Sequence, residues 1–548
     1  MTQSSQTWTN AWRWAIGWSI TILLISCIPY IIAALSAPKG WQFAGFLVNP
    51  LDGHSYLAKM QQGQAGHWLF HLTYSPEPHE GAFIFTFYLA LGHLAAATGL
   101  PKIFIFHLAR LLAGFGLLLV AFRFIGRVTP YPAERRLAFV FMFSASGLGW
   151  LGASFGTFPI DLWVPEAFVP YSLYANPHFP MAMMLMLIIF EQVLSSLLPV
   201  SNLELINPSQ TETQNLNPKP KTRNFKPFLW AGLAALALAM ILPFALLTVW
   251  AILGVFLSWL FGNRRRLPWE QIWPTLGVVV FSAPMIFYQY WVSVTNPVLA
   301  AWGTQNVTPG PKVLDFWLGY GLVGLLALVR MTIIIRNSNS KAGEWLVVLW
   351  AITTVVLVYI PFDLQRRLIT GLHLPLCILA AIGLNRWLTN SKLRFSYQRL
   401  VTIGVVTIGA LGTILVWGLP LVGTLQSPTA SATTALFFMR QEEVAAFEWL
   451  EQNVESDDVI LASPRVGLFV PGQTGARAFY GHPFETIEAK IKEAQVEAFY
   501  RGDIETITPS PDYIIYGPSE QSLGQPEILS DFPITFSAGD LLVYKVPK

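Results

Sequence analysis

Four places in the sequence carry side chains that a purely apolar chain would not need. The first is Asn49-Pro50-Leu51-Asp52-Gly53-His54-Ser55-Tyr56-Leu57-Ala58-Lys59-Met60. Asp52 closely follows an apolar run and precedes an amphipathic stretch. A carboxylate near a membrane surface is costly to desolvate, which often marks function. The plain alternative is a helix N-cap. The second place is Phe158 to Phe168, followed by Tyr174-Ala175-Asn176-Pro177-His178-Phe179. It holds Asp161, Glu166 and His178 and no Lys or Arg. Acids in two loops on one face suit a divalent cation such as magnesium or manganese, or shared acid–base work. Asp52, Asp161 and Glu166 are therefore the candidate metal set. The third place is Pro361-Phe362-Asp363-Leu364-Gln365-Arg366-Arg367. Guanidinium forks grip phosphate bidentately, so Arg366 and Arg367 are candidate ligands for a lipid phosphate, with snorkelling or pairing to Asp363 as the alternative. The fourth is Arg110, set inside an apolar run, where an arginine is functional by default or pairs with a loop acid.

These residues need elements to hold them, and the composition says which kind. Of 548 residues 53% are apolar and only 12% charged, about half the charged share of a soluble domain. Spanning helices need about 20 apolar residues. Nine runs qualify outright, at 14–36, 103–122, 137–156, 181–198, 272–292, 313–330, 344–360, 368–388 and 400–419. The run 228–262 is too long for one span and contains Pro243, so it reads as two spans meeting there. That gives about eleven spans. The apolar segment 81–97 would make twelve, and the loop charges decide against it. With 81–97 lying on the outer face, the inner loops hold eighteen Lys and Arg and the outer loops six, as the positive-inside rule requires. The amino terminus is then cytoplasmic. The first three places then fall on the outer side, and Arg110 lies inside the second span toward its outer end.

Ser201–Lys226 is polar and reads as a cytoplasmic loop. From about Phe437 the pattern changes. Helical periodicity at Glu442–Asn453 and near Glu485–Tyr500, with short strands at Val459–Ala462, Tyr513–Tyr516 and Leu541–Val546, reads as an α/β domain. The expected organisation is a membrane domain at 1–436, with a long first outer loop at 37–102, and an extracytoplasmic domain at 437–548. The run Gly472 to His482 with Glu485 is either a substrate-facing loop or a turn between strands. His67 and His71 sit four apart without a third ligand and read as an interfacial pair. Cys27 and Cys377 read as small buried residues. A net charge of +3 gives no reason to expect nucleic acid.

One span, then a long outer loop with an early acid, Asp52, followed by Tyr56, Ala58 and Gly63, resembles the GT-C glycosyltransferases. These include protein mannosyltransferases, aminoarabinose transferases and the oligosaccharyltransferase catalytic subunit. The resemblance implies a mainly α, polytopic membrane fold with helices along the membrane in the first outer loop. It implies transfer of a sugar from a polyprenyl-phosphate-linked donor to a saccharide, lipid or protein acceptor in the cell envelope, and a bacterial plasma membrane as the location. It implies that Asp52 acts as base on the acceptor hydroxyl or positions the acceptor and a metal, and that the loop holding Asp161 and Glu166 supplies a second acid. The residues themselves add Tyr56, Arg110, Glu166, His178, Arg366 and Arg367 as candidate substrate contacts. Asp52 is followed by Gly53 rather than a second acid, and no Trp-Trp-Asp occurs, which argues against the oligosaccharyltransferase branch. A flippase for lipid-linked sugars is the alternative, but polar residues would then gather near the midplane. A polymerase or ligase would use the same donor chemistry on another acceptor.

Overall fold

The computed structural model describes residues 3–195, 225–337 and 340–547, with side chains from residue 10. The expected cytoplasmic loop at Ser201–Lys226 lies outside the described residues as far as 224. The protein is mainly helical. Among the described residues, nine helices are long and apolar enough to cross a membrane, from Asn10–Leu35 to Phe395–Thr424. Two shorter apolar helices, Lys226–Ile241 and Ala342–Val358, occupy the remaining expected positions. At 1.5 Å per residue they measure about 24 and 26 Å, slightly less than a hydrocarbon core of about 30 Å. The run 228–262 does break at Pro243. Leu242 leaves the helical region (φ −149°, ψ 81°) and Pro243 opens the next helix, Pro243–Arg264, because a residue before proline is pushed out of the α region.

The chain divides into two compact units. One comprises Met1–Ile25, Arg110–Phe287 and Thr308–Val416. It is a helical bundle around Gln365–Asn390, which is 89% buried against 22–67% for the other long helices. Several of its buried charges form ion pairs. Arg386 bridges Glu134 and Glu344 at 2.9 Å each, and Arg330 meets Glu344 at 2.5 Å. Arg123 and Arg127 share Glu191. A buried charge left alone would cost several kcal/mol, so these pairs make the polar content of the bundle tolerable.

The other unit comprises Ser26–Ala109, Tyr288–Val307 and Trp417–Lys548. Its carboxyl-terminal part is a small α/β domain. A five-stranded sheet has the order β4-β3-β5-β7-β6, where β3 is Val459–Leu461, β4 Arg477–Ala478, β5 Tyr513–Tyr516, β6 Ile534–Ala538 and β7 Leu541–Lys545. β3 runs parallel to β4 and β5, while β7 runs antiparallel to β5 and β6. Helices Gln441–Asn453 and Ala489–Arg501 accompany it. The segment 37–102, expected to be the first outer loop, belongs to this unit as well. A second sheet pairs β1, Trp41–Phe43, antiparallel with β2, Phe438–Arg440. Ala44, Ala58 and Tyr74 share a core with Phe447, Ile460, Phe469 and Val543.

The segment 81–97 contains a helix of only 13 residues, Thr86–Thr98, about 20 Å long and too short to cross. It packs on the helix Pro50–Gln64 through two glycines. A Cβ on Gly63 would strike the Leu89 carbonyl, and one on Gly92 would strike the Met60 carbonyl. Small residues let two helix backbones approach this closely.

Candidate functional site

Asp52 stands in the first turn of Pro50–Gln64, after Asn49 in a left-handed conformation (φ 47°) and Pro50 at the first helical position. Unsatisfied N–H groups and the positive end of the helix dipole stabilise a carboxylate there. Asp52 is partly exposed and lies within electrostatic reach of Tyr88 and His482. Tyr56, one turn on, stacks on Tyr88 with ring centroids 4.2 Å apart and planes 8° apart. Burial, then Tyr56 and Asp52, push the Tyr88 phenol well above its ordinary value. His54 faces inward, edge-on to Phe46 and Phe469 at 5.1 and 4.6 Å. Burial holds its pKa down at about 3, so it is neutral.

Two turns beyond Asp52, Lys59 is buried to 1% exposure. Its ammonium donates to Ser55 Oγ at 2.6 Å and to Glu485 Oε1 at 2.9 Å. It lies over Phe85 at 4.6 Å and Phe70 at 5.3 Å, close enough for cation–π attraction. Ser55 Oγ also donates to Glu485 Oε1 at 2.6 Å. Burial tends to raise the Glu485 pKa, but Lys59, His482 and Ser55 outweigh it and hold the carboxyl below its ordinary value. The Gly472–Glu485 run is thus packed on the helix that bears Asp52. Gly472 sits against His54 and Ala58, and Glu485 completes the ion pair. Lys59 counted only as an outer cation in the sequence. Its spacing of seven from Asp52 and three or four from Ser55 and Tyr56, one face of a helix, was the signal available.

The remaining site residues lie in the other unit. Glu166 is in a short 3₁₀ turn, Pro165–Ala167, and Arg366 and Arg367 are in another, Gln365–Ile369. The Gly371 N–H donates to the Glu166 carbonyl at 3.3 Å, holding the turns together. Arg366 Nε is 3.9 Å from Glu166 Oε1, a long contact, and its guanidinium covers the Trp163 ring at 4.8 Å. Arg367 lies over Phe244 at 5.4 Å. The Nε atoms of both arginines are buried without a hydrogen-bond partner among the described residues. Neither is paired with the Asp363 carboxylate in an ion pair. Two half-buried guanidinium groups with donors to spare are suited to an anion. Arg110 is fully buried, and its Nη1 donates to the carbonyls of Leu173 and Tyr174 at 3.0 and 3.1 Å. It ties down the loop that leads to His178, which opens the helix His178–Ser195.

Asp161 has one carboxylate oxygen engaged by the surrounding loop. Its Oδ2 accepts from Ser146 Oγ at 2.9 Å, Gly147 N at 3.0 Å and Gly149 N at 3.1 Å. A Cβ on Gly149 would collide with its carboxylate, so the glycines form a cradle of donors. These donors engage Oδ2, while Oδ1 is buried without a hydrogen-bond partner among the described residues. Burial raises the Asp161 pKa to about 6 against those hydrogen bonds. Among the described residues no group of three or more His, Cys, Asp or Glu is placed to hold a metal.

No family model and no curated protein matches the sequence. Solved structures do match. ArnT from Cupriavidus metallidurans bound to undecaprenyl phosphate aligns over 96% of this chain and 98% of its own, with 14% identity and a TM-score of 0.53. The archaeal oligosaccharyltransferase AglB from Archaeoglobus fulgidus, in complex with an inhibitory peptide and a dolichol-phosphate, aligns over 91% of this chain and 69% of its own, with 11% identity and a TM-score of 0.52. The Archaeoglobus fulgidus oligosaccharyltransferase in complex with Zn and sulfate aligns over 91% and 67%, with 11% identity and a TM-score of 0.52. The likeness is one of architecture: the chain has the GT-C fold that these membrane glycosyltransferases share.

Proposed function

We propose that the protein is a membrane glycosyltransferase that moves a sugar from a polyprenyl-phosphate-linked donor to an acceptor on the outer face of the membrane. The observation that carries this reading is Asp52, partly exposed at the positive end of a helix that Lys59 and Glu485 hold in place. It is supported by the fold, whose solved examples hold undecaprenyl phosphate and dolichol-phosphate. In the reaction the acceptor oxygen attacks the anomeric carbon. The acceptor proton passes to the Asp52 carboxylate as the new C–O bond forms. The bond between the anomeric carbon and the phosphate oxygen breaks, and the polyprenyl phosphate leaves with the electron pair. A carboxylate at a helix N-terminus is kept ionised and ready to accept. Arg366 and Arg367, which lie in the other unit, have donors that protein partners leave unused and that suit a phosphate. Arg110 and Glu166 hold the second outer loop and the arginine turn. His178 completes the loop that Arg110 anchors.

The acceptor is a saccharide, a lipid or a peptide, and a polymerase or ligase would run the same chemistry. The test is transfer from undecaprenyl-phosphate-linked hexoses and pentoses in membranes containing the protein. Asp52→Asn, which keeps size but removes the base, is expected to cut turnover by about 10²–10⁴-fold with unchanged expression and thermal stability. Full activity in that variant would end the assignment of Asp52.

A further inference from the structure

A cleft of about 780 Å³ opens within the unit that carries Asp52. It lies apart from the Lys59 pair, lined by the first outer loop, the helix end after Phe287 and the α/β domain. Tyr288 and Trp291, three apart on one helix face, present their rings to it with centroids 6.3 Å apart. Trp291 is 52% exposed. Opposite are Arg477, Asp457, Glu80 and His71. We propose that this cleft is a subsite for an uncharged saccharide unit, bound by aromatic stacking on Trp291 and hydrogen bonds to Asp457, Arg477 and His71.

The size is that of a small-molecule pocket. Its chemistry decides the class of ligand. The Arg477 guanidinium is already neutralised by Asp457 at 2.6 Å, and Glu80 adds a second carboxylate, so the cleft has no surplus positive charge to draw a phosphate or a uronate. His79 adds none. Its Nδ1 donates to the Glu77 carbonyl at 2.9 Å and its Nε2 accepts from Leu72 N at 2.9 Å, which is the neutral tautomer. Burial, then His79 and Arg477, lower the pKa of His71 as well. A neutral imidazole, a carboxylate and a guanidinium together offer donors and acceptors side by side. A sugar hydroxyl needs both. A sugar also has a C–H face, which suits an aromatic ring that is apolar on its face and wet at its edge. An apolar ligand would waste the charged wall, and an anion would meet the carboxylates.

This inference rests on the glycosyltransferase reading, in which a saccharide is the donor group or acceptor, but its test does not use transfer. The full-length protein in detergent is probed by saturation-transfer NMR with galactose, N-acetylglucosamine, glucosamine and glucuronate. Neutral or N-acetylated sugars are expected to bind at millimolar concentration and glucuronate more weakly. Trp291→Ala is expected to weaken binding about threefold to tenfold, the worth of one aromatic contact. Trp291→Phe should keep most of it, Asp457→Asn should weaken it, and Asp52→Asn should leave it unchanged. The proposal is overturned if no sugar in the panel binds, if glucuronate binds tightest, or if Trp291→Ala binds as the native protein does. The last result would make Trp291 an interfacial anchor only. Loss of transfer in Asp52→Asn alongside intact sugar binding separates the two claims, as does sugar binding by a protein that transfers from none of the donors.

Discussion

Asp161 has one oxygen committed to the fold and one that is not. Its neighbours Ser146, Gly147 and Gly149 all donate to one oxygen, while the other, Oδ1, has no partner among the described residues. An asparagine fits this arrangement. Its carbonyl takes the three donors, and its amide replaces the oxygen that accepts nothing. The Asp161 pKa is raised from 3.8 to about 6 by burial, so the folded protein holds this proton more tightly than the unfolded chain. Its contribution is therefore complete below 3.8 and is lost as pH rises to about 6, a loss on the order of 3 kcal/mol. Asp161→Asn should remove that decline, so thermal unfolding in detergent should be flatter across this interval than for the native protein, with transfer retained. Parallel pH slopes, or a variant devoid of transfer, would place Asp161 among the reacting groups. Arg366 and Arg367, by contrast, stand out in the sequence because they go against the charge rule for the outer loop expected there. The partner of Lys59 does not, since Glu485 lies 426 positions away and no local periodicity reaches that far.

At the level of elements, local signals served well where local physics decides. Pro243 split one apolar run into two helices, and 13 helical residues were too few to cross a bilayer. The strands β3, β5 and β7 and both helices of the sheet domain could be read from their periodicity. β6 could not, because this edge strand is largely exposed and lacks a buried face. β1, β2 and the two-residue β4 are too short to carry a pattern, and long-range pairing alone defines them. The helix Pro50–Gln64 depends on such pairing. Lys59→Met leaves the Glu485 carboxylate buried without its cation, which is expected to cost about 3–5 kcal/mol. Hydrogen exchange should then quicken in 50–64 and 481–486. Because the Glu485 pKa is depressed in the fold, its stabilisation is present above the ordinary carboxylate value and lost as pH falls through the lowered one. The native protein should therefore show the same quickening only on acidification, whereas Lys59→Met shows it at neutral pH. Equal exchange in both at neutral pH would mean that the pair positions nothing.

For the whole molecule, the expected sidedness rests on charge alone, eighteen inner against six outer cations. It can be tested on exposed residues. Ser172 is fully buried and would be a poor reporter, but Ser154 and Thr389 are exposed. With Cys27 and Cys377 replaced, Ser154→Cys should react with an impermeant maleimide added outside, and Thr389→Cys only after the membrane is opened. The reverse pattern would put Asp52 and the arginines on the cytoplasmic side. Composition and periodicity thus carried the helices and their order. They did not carry the grouping of the first outer loop with the carboxyl-terminal domain, because that grouping is made by contacts between the two ends of the chain.

The short ladder between Trp41–Phe43 and Phe438–Arg440 also sets a timetable. Its strands are about 400 residues apart, and a ribosome adds roughly 5–20 residues per second. The first outer loop must therefore wait some 20–80 seconds after it is made before its partner strand exists. During that interval Trp41, Ala58 and Tyr74 lack the carboxyl-terminal partners they finally pack against. Biogenesis of this protein thus has a vulnerable period fixed by its own connectivity, ended only when Phe438–Arg440 has been made and paired.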